Sequence, residues 1–294
     1  MQRRTSIPTR FWTLGVLAWA LSFGCGDVID WICANVPALC PTDRRLKVNL
    51  QIDAEQESGT AGISAIVNEL RSRGITATIF VTQDYANDHA VLLQQFDAWG
   101  FEIALHGKST GEQLATMTYE EQKTRLTNAK TAVEGCIACG TGRQVKAFRP
   151  QYFSQNEDTY RVLDELGMTS NSGFKAKLSY ADGHADSVWP YAMPGHNFNV
   201  VPLTTVVYNG NRIYVCDIAC AQALGLNATQ WGQVLTLAYE DAVANNTPLV
   251  PLFHGWYTGD STSYTYWQPF LDFLDLLEGN VTFVTTSQLA AMAE

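Results

Sequence analysis

From residue 46 onward, short apolar or alternating runs take turns with longer stretches whose apolar residues recur every three or four positions. The runs LKVNLQID (46–53), TATIFVT (76–82), FEIALHG (101–107), VKAFRP (145–150), NVVPLTTVVY (199–208), PLVPLF (248–253) and VTFVTT (281–286) predict strands. Between them, GTAGISAIVNELRSRG (59–74), HAVLLQQFDAWG (89–100), TYEEQKTRLTNAKTAVEG (118–135), NEDTYRVLDELG (156–167), NATQWGQVLTLAYEDAVAN (227–245) and YWQPFLDFLDLLEG (266–279) predict helices. Residues 169–200 are less regular. Strands and helices in alternation along one chain predict an α/β fold of parallel strands joined by crossover helices. Roughly seven such units favour a closed or nearly closed barrel over an open sheet.

The pattern changes before residue 46. Residues 1–24 carry Arg3, Arg4 and Arg10, no acidic residue and the apolar run FWTLGVLAWALSFG, which together predict an export signal. That run is short for a spanning helix. LSFGC resembles a bacterial lipoprotein signal with Cys25 as the lipidated residue, which implies membrane attachment; the competing reading is a plain secretory signal or an uncleaved anchor. The expected location is extracytoplasmic, in the cell envelope or secreted. Residues 25–45 form a short N-terminal segment, and 46–294 a single barrel domain. The formal charge of -10 argues against a nucleic-acid partner, which needs a basic face.

Six cysteines follow Cys25 in three close couples: Cys33 with Cys40, Cys136 with Cys139, and Cys216 with Cys220. Local disulfides in an oxidising compartment are the expected reading, with the first couple tying the 25–45 segment. The alternative is metal binding through the C-x-x-C of CIAC, a weak zinc signal without a second ligand pair.

In a barrel of this kind the active site lies where the strands end. The ionisable residues there are Asp53 and Glu55 after the first strand, His106 after the third, Arg149 after the fourth and His254 after the sixth, PLVPLF. Their side chains are candidates for chemistry; Asp53 with Arg149 could equally be a buried ion pair, either histidine could be satisfied within the core, and Glu55 could be solvated.

Around these residues, HGKSTGEQLATMTYEEQKTRLTNAKTAVEG, then VKAFRPQYFSQNEDTYRVLDELGM with its Arg-Pro-x-Tyr core, and the closing PLFH resemble the polysaccharide deacetylases of the chitin, peptidoglycan and nodulation-factor type. The resemblance runs from about Leu46 to Leu289. It implies a distorted (β/α) barrel that removes acetyl groups from N-acetylated polysaccharides or oligosaccharides by metal-assisted amide hydrolysis. It further implies zinc or another divalent metal that activates a water, Asp53 as general base, Arg149 as the residue orienting it, and His254 as the acid that protonates the leaving amine. Tyr152 falls at the position whose backbone amide stabilises the oxyanion.

The chain departs from the family pattern at the metal. Where the family has a second aspartate this chain has Ala54, and the usual His-x-x-x-His reads His106 followed by Thr110. Side chains alternate along a strand, so Asp53 and Glu55 share a face and Ala54 points away; Glu55 is therefore the expected replacement ligand beside His106. Trp256 and Tyr257, directly after the His254 loop turn, are expected to contact sugar. Two functions are compatible with this set of residues: an exported deacetylase with an altered metal site, and a catalytically inactive carbohydrate-binding envelope protein on the same fold.

Overall fold

A computed structural model describes residues 45–55, 59–137, 143–259 and 265–293 of the 294-residue chain. The strands are β1 (Leu46–Val48), β2 (Gln51–Ala54), β3 (Thr78–Val81), β4 (Glu102–Leu105), β5 (Ala147–Phe148), β6 (Ser170–Asn171), β7 (Tyr191–Ala192), β8 (Asn199–Val200), β9 (Thr205–Tyr208), β10 (Asn211–Tyr214), β11 (Leu252–His254) and β12 (Val281–Phe283). The helices are α1 (Thr60–Ser72), α2 (Gln83–Asp88), α3 (Ala90–Ala98), α4 (Tyr119–Ile137), α5 (Glu157–Glu165), α6 (Ala228–Asn245), α7 (Trp267–Leu277) and α8 (Thr286–Ala290).

Eight strands form one sheet in the order β11-β2-β3-β4-β5-β6-β8-β7. Every neighbouring pair from β11 to β8 is parallel, and only β7 runs antiparallel to β8. Seven parallel strands with helices packed outside make the distorted (β/α) barrel expected from the alternation, curled but left open between β11 and β7. Chain order is interrupted at one place that matters: β11, from the end of the chain, lies beside β2, from its start. That crossover brings His254 next to Asp53 in register.

Period-2 alternation decides what the barrel holds. Val48, Leu50, Ile52 and Ala54 are fully buried against the helical layer, where α1 presents Ile63, Ile66, Val67 and Leu70 at helical spacing. The opposite face of the same segment carries Asn49, Gln51 and Asp53, so the barrel interior is polar along this strand and every polar atom there needs a partner. Gln51 finds four: its Nε2 donates to Asn49 Oδ1 (2.7 Å) and Thr286 Oγ1 (3.1 Å), and its Oε1 accepts from Ser172 Oγ (3.0 Å) and from Arg149.

Two runs expected as single strands are each divided. LKVNLQID breaks at Asn49, whose Nδ2 donates to Val284 O (3.0 Å), because β1 pairs with β12 while β2 pairs with β3 and β11. NVVPLTTVVY breaks around Pro202, which has no N–H to give a ladder. Helix starts follow their capping residues: Asn156 and Asn227 each form a capping box, with Thr159 and Gln230. Among the described residues no helix is long and apolar enough to cross a membrane.

The expected Cys216–Cys220 disulfide is absent. Both are free, buried thiols. Cys216 packs with Val201, Leu203, Val250 and Leu252, whereas Cys220, one turn later, belongs to the main core around Trp231 and Phe253. Close spacing places them near each other but their side chains enter different clusters, and a disulfide needs converging Cβ vectors. Cys25, Cys33, Cys40 and Cys139, like the leader, lie outside the described residues. Thiol labelling of the native protein should leave Cys216 and Cys220 unmodified, and labelling after unfolding without reductant should modify both; protection that persists after unfolding would show that they are bonded.

Candidate active site

The polar ends of the parallel strands converge on a cavity of about 470 Å³. Asp53, Glu55, His106, Arg149, Tyr152, His254, Trp256 and Tyr257 all line it, so each residue singled out in the sequence reaches the same place. A larger groove of about 740 Å³ lies on the outer surface between α6 and α7, and it gathers no comparable set of converging ionisable groups.

Asp53 is the centre. One carboxylate oxygen accepts from Arg149 Nη2, and the other lies 3.3 Å from His106 Nε2 and 3.5 Å from His254 Nε2. Burial opposes the charged carboxylate, but the guanidinium of Arg149 and then His106 outweigh it and hold the group well below the usual carboxylate range. Arg149 is itself clamped: Nη1 donates to Gln51 Oε1, and the plane of the guanidinium lies 3.9 Å over the Phe80 ring. The Asp53–Arg149 pair is thus a buried ion pair and also the floor of the cavity.

His106 is fixed from behind. Its Nδ1 lies 2.8 Å from Arg149 O, and a carbonyl only accepts, so Nδ1 carries the proton and Nε2 faces the carboxylates. The turn that frees the ring depends on Gly107, at φ +81°, where a Cβ would overlap the buried Glu112 carboxylate that accepts from Lys108 N (2.9 Å). Glu55 shares the inward face with Asp53, as alternation requires. Its Oε2 is 3.9 Å from His106 Nε2, is buried, and has no hydrogen-bond partner. Ala54 packs in the hydrophobic core, and the Thr110 hydroxyl donates to Glu55 O (2.7 Å), tying down the backbone of the residue it faces.

His254 is held by a residue that the sequence pattern did not single out. Asp217 is fully buried and accepts four hydrogen bonds: from His254 Nδ1 (2.6 Å), His254 N (2.6 Å), Thr258 Oγ1 (2.7 Å) and Ile218 N (2.7 Å). Burial disfavours the charged imidazolium, yet Asp217, with a smaller contribution from Asp53, pushes His254 up to about 10. The only sequence signal for Asp217 is a lone acid in the apolar stretch YVCDIAC. The loop after His254 is seated by close backbone approach: a Cβ on Gly255 would overlap Gly59 O, and one on Gly62 would overlap Gly255 O.

Cys216, Asp217 and His254 offer ligand atoms within 4.8 Å of one another. Both Asp217 oxygens are already saturated, so this cluster orients a histidine and has no lone pair to spare for a cation. Burial, then Asp217, also raises the Cys216 thiol well above its ordinary range, so it stays protonated.

Two expected contacts are placed differently from one another. Trp256 is half-buried, 5.2 Å from the His254 ring. Tyr257, expected as a second sugar-contacting ring, is 3% exposed and packs with Tyr266 in the core, because its N–H turns back to His254 O (3.1 Å). Tyr152 has φ 54° and a ring that is 67% exposed at the rim.

Residues 43–170 match the family model described as polysaccharide deacetylase. A search of curated protein sequences finds no match. Among solved structures, this chain is similar to a Mycobacterium smegmatis protein described as a polysaccharide deacetylase, at 18% identity and TM-score 0.68, covering 85% of this chain and 91% of that one. It is similar to Puue allantoinase at 16% identity and TM-score 0.70, with the same coverages. It is also similar to a CE4 family pseudoenzyme from Bacillus anthracis at 13% identity and TM-score 0.53, covering 85% of this chain and 66% of that one. At these identities the likeness establishes the (β/α) barrel fold, and the chemistry has to be argued from the residues of this chain.

Proposed function

We propose that this chain is an exported, metal-assisted hydrolase that removes acetyl groups from the N-acetylated sugars of a polysaccharide. The observation that carries the reading is the single carboxylate of Asp53 set between Arg149, His106 and His254, with His254 kept protonated by Asp217. Asp53, ionised and aimed into the cavity, takes a proton from a water as its oxygen bonds to the acetyl carbon. His254 Nε2 gives its proton to the amide nitrogen, the carbon–nitrogen bond breaks, and acetate and a free sugar amine result. Arg149 keeps Asp53 in place and in its charged form.

A divalent metal fits the residues present. His106 Nε2 faces the carboxylates of Asp53 and Glu55, and Glu55 Oε2 is buried without a hydrogen-bond partner, a set of nitrogen and oxygen donors that a cation between them would stabilise. Glu55 and His106 would hold it beside Asp53, whose second oxygen stays available to the water, in place of the set lost at Ala54 and Thr110. Bound there, it would polarise the acetyl carbonyl and lower the pKa of its water.

Glu55→Ala is expected to lose bound metal and to cut acetate release by at least two orders of magnitude. His254→Ala should keep the metal while losing acetate release. Metal content and acetate release from N-acetylated oligosaccharides, measured on wild type and both variants, check this. A wild type that neither binds metal nor releases acetate ends the proposal. If that protein still binds oligosaccharide, the second reading stands, a carbohydrate-binding envelope protein, which the replacement of two family ligands by Ala54 and Thr110 favours. We place the protein outside the cytoplasm, attached through Cys25 if that residue is lipidated; lipid mass on a mature N-terminus at Cys25 is the corresponding test.

A further inference from the structure

One cation in the cavity has no role in the scheme above. Lys175 lines the cavity together with Tyr214, Cys216 and His254. Its backbone is fixed on both sides, with Lys175 N donating to Ser179 O (2.9 Å) and Ala176 N to Leu203 O (3.0 Å). The ammonium lies 3.9 Å from the centre of the Phe153 ring and 4.4 Å from that of Tyr214, two rings packed edge to face. Among the described residues no carboxylate comes within ion-pair distance of Lys175 Nζ, and none of its three N–H donors meets an acceptor.

The other cations in the cavity each have a carboxylate partner. Arg149 is paired with Asp53 and His254 with Asp217, while Glu55 lies beside His106 at the place assigned above to a metal. Lys175 is left over in a chain whose formal charge is -10, where a carboxylate partner would be easy to supply. An ammonium is a compact, strongly hydrated ion, and burying part of it carries a cost that two ring faces offset only in part. Desolvation accordingly lowers its pKa. An oxyanion from a ligand would complete its coordination.

The position indicates where on the ligand that oxyanion sits. Cys216 neighbours both groups: its thiol lies within 4.8 Å of the ligand atoms of His254 and Asp217, and it follows two residues after Tyr214, whose ring centre is 4.4 Å from the Lys175 ammonium, all of them lining the one cavity. Lys175 is therefore on the side of His254, the side assigned above to the leaving amine, so this placement rests on the deacetylase reading. We propose that the substrate is an acidic saccharide, with a carboxylate or a phosphate ester on or next to the sugar that leaves as the amine, and that Lys175 pairs with that group.

The test uses the full chain and three N-acetylated oligosaccharides of equal length: one neutral, one bearing a carboxylate and one bearing a phosphate. Calorimetric binding and acetate release are measured for wild type, Lys175→Met and Lys175→Arg, with thermal midpoints as the folding control. Wild type should bind at least one acidic saccharide roughly 10- to 100-fold more tightly than the neutral one, the range expected for a charge-assisted hydrogen bond. That preference should shrink as salt rises. Lys175→Met should bring the ratio close to one, and Lys175→Arg should keep most of it. The acidic arm that shows the preference identifies the anion. Equal affinity for neutral and acidic saccharides, a ratio unchanged in a folded Lys175→Met, or binding of none of the three overturns the inference. Acetate release without acidic preference leaves the deacetylase reading standing and this one lost. Acidic preference that depends on Lys175 without acetate release keeps Lys175 as an anion site but ends the deacetylase reading and, with it, the placement beside the leaving amine.

Discussion

Asp53→Asn is expected to reduce acetate release by about 10²- to 10⁴-fold, the contribution of a positioned general base. The amide is nearly isosteric, so the cavity keeps its shape, but it cannot take a proton from water and brings N–H donors toward Arg149, His106 and His254. A stability effect comes with it. Arg149 is 1% exposed and would keep a buried charge with no counterion, a loss of about 3–5 kcal/mol for a broken buried pair. The pH dependence separates the two effects. Because the folded pKa of Asp53 lies well below its ordinary value of 3.8, its stabilisation is fully present above that value and disappears as pH falls through the folded pKa. Urea unfolding of wild type should show this acid-side loss, and Asp53→Asn should lack the Asp53 part of it. A variant with wild-type acetate release would remove Asp53 from the chemistry, whatever its stability.

Asp217→Asn should be nearly as severe although Asp217 is assigned no proton transfer. Four donors converge on its two oxygens. An asparagine can accept at one of them and must turn its own N–H groups toward the rest, so the imidazole loses its orienting partner and its counter-charge together. Burial would then act on His254 with only Asp53 opposing it, and the ring would titrate well below its present value of about 10. The expected result is a fall in kcat of about 10²- to 10⁴-fold at neutral pH, with the alkaline limb of the pH–rate profile moved from near pH 10 toward neutrality. The stability contribution runs opposite to that of Asp53. A histidine whose pKa is raised stabilises fully below its ordinary value of 6.5, and the contribution is lost as pH rises from there through about 10. Wild-type unfolding free energy should therefore decline across that window, and Asp217→Asn should show a flatter curve. A limb that stays near pH 10 in the variant would mean that some other group holds the proton on His254.

The replaced family ligands take on physical roles in this chain. Ala54 is in the hydrophobic core, so an aspartate introduced there would be buried among apolar side chains. The Thr110 hydroxyl holds the backbone of Glu55. Glu55, with its unpartnered oxygen, is the residue whose environment asks for a cation.

Alternation of apolar and helical periods was enough to read the parallel α/β barrel, because each strand and helix had to bury one face and the period records which face it is. The same rule put Asp53 and Glu55 on one side of β2 and Ala54 on the other, and the position of strand ends put His106, Arg149 and His254 on one rim. These are local properties, written within a few residues. Other features depended on which distant segments meet. Asp217 lies 37 positions before the histidine it holds, and Gln51 lies 98 before the arginine it clamps. No periodicity reports such a pairing, since it follows from the crossover that lays β11 against β2 and from the curl of the sheet. Cys216 and Cys220 show the same limit at short range: spacing makes two thiols neighbours, but the direction of each side chain is set by the cluster it packs into. Lys175, in the irregular stretch with no period to read, acquired its place only when the backbone of that loop was bonded to Leu203 and its ammonium came to rest over Phe153 and Tyr214.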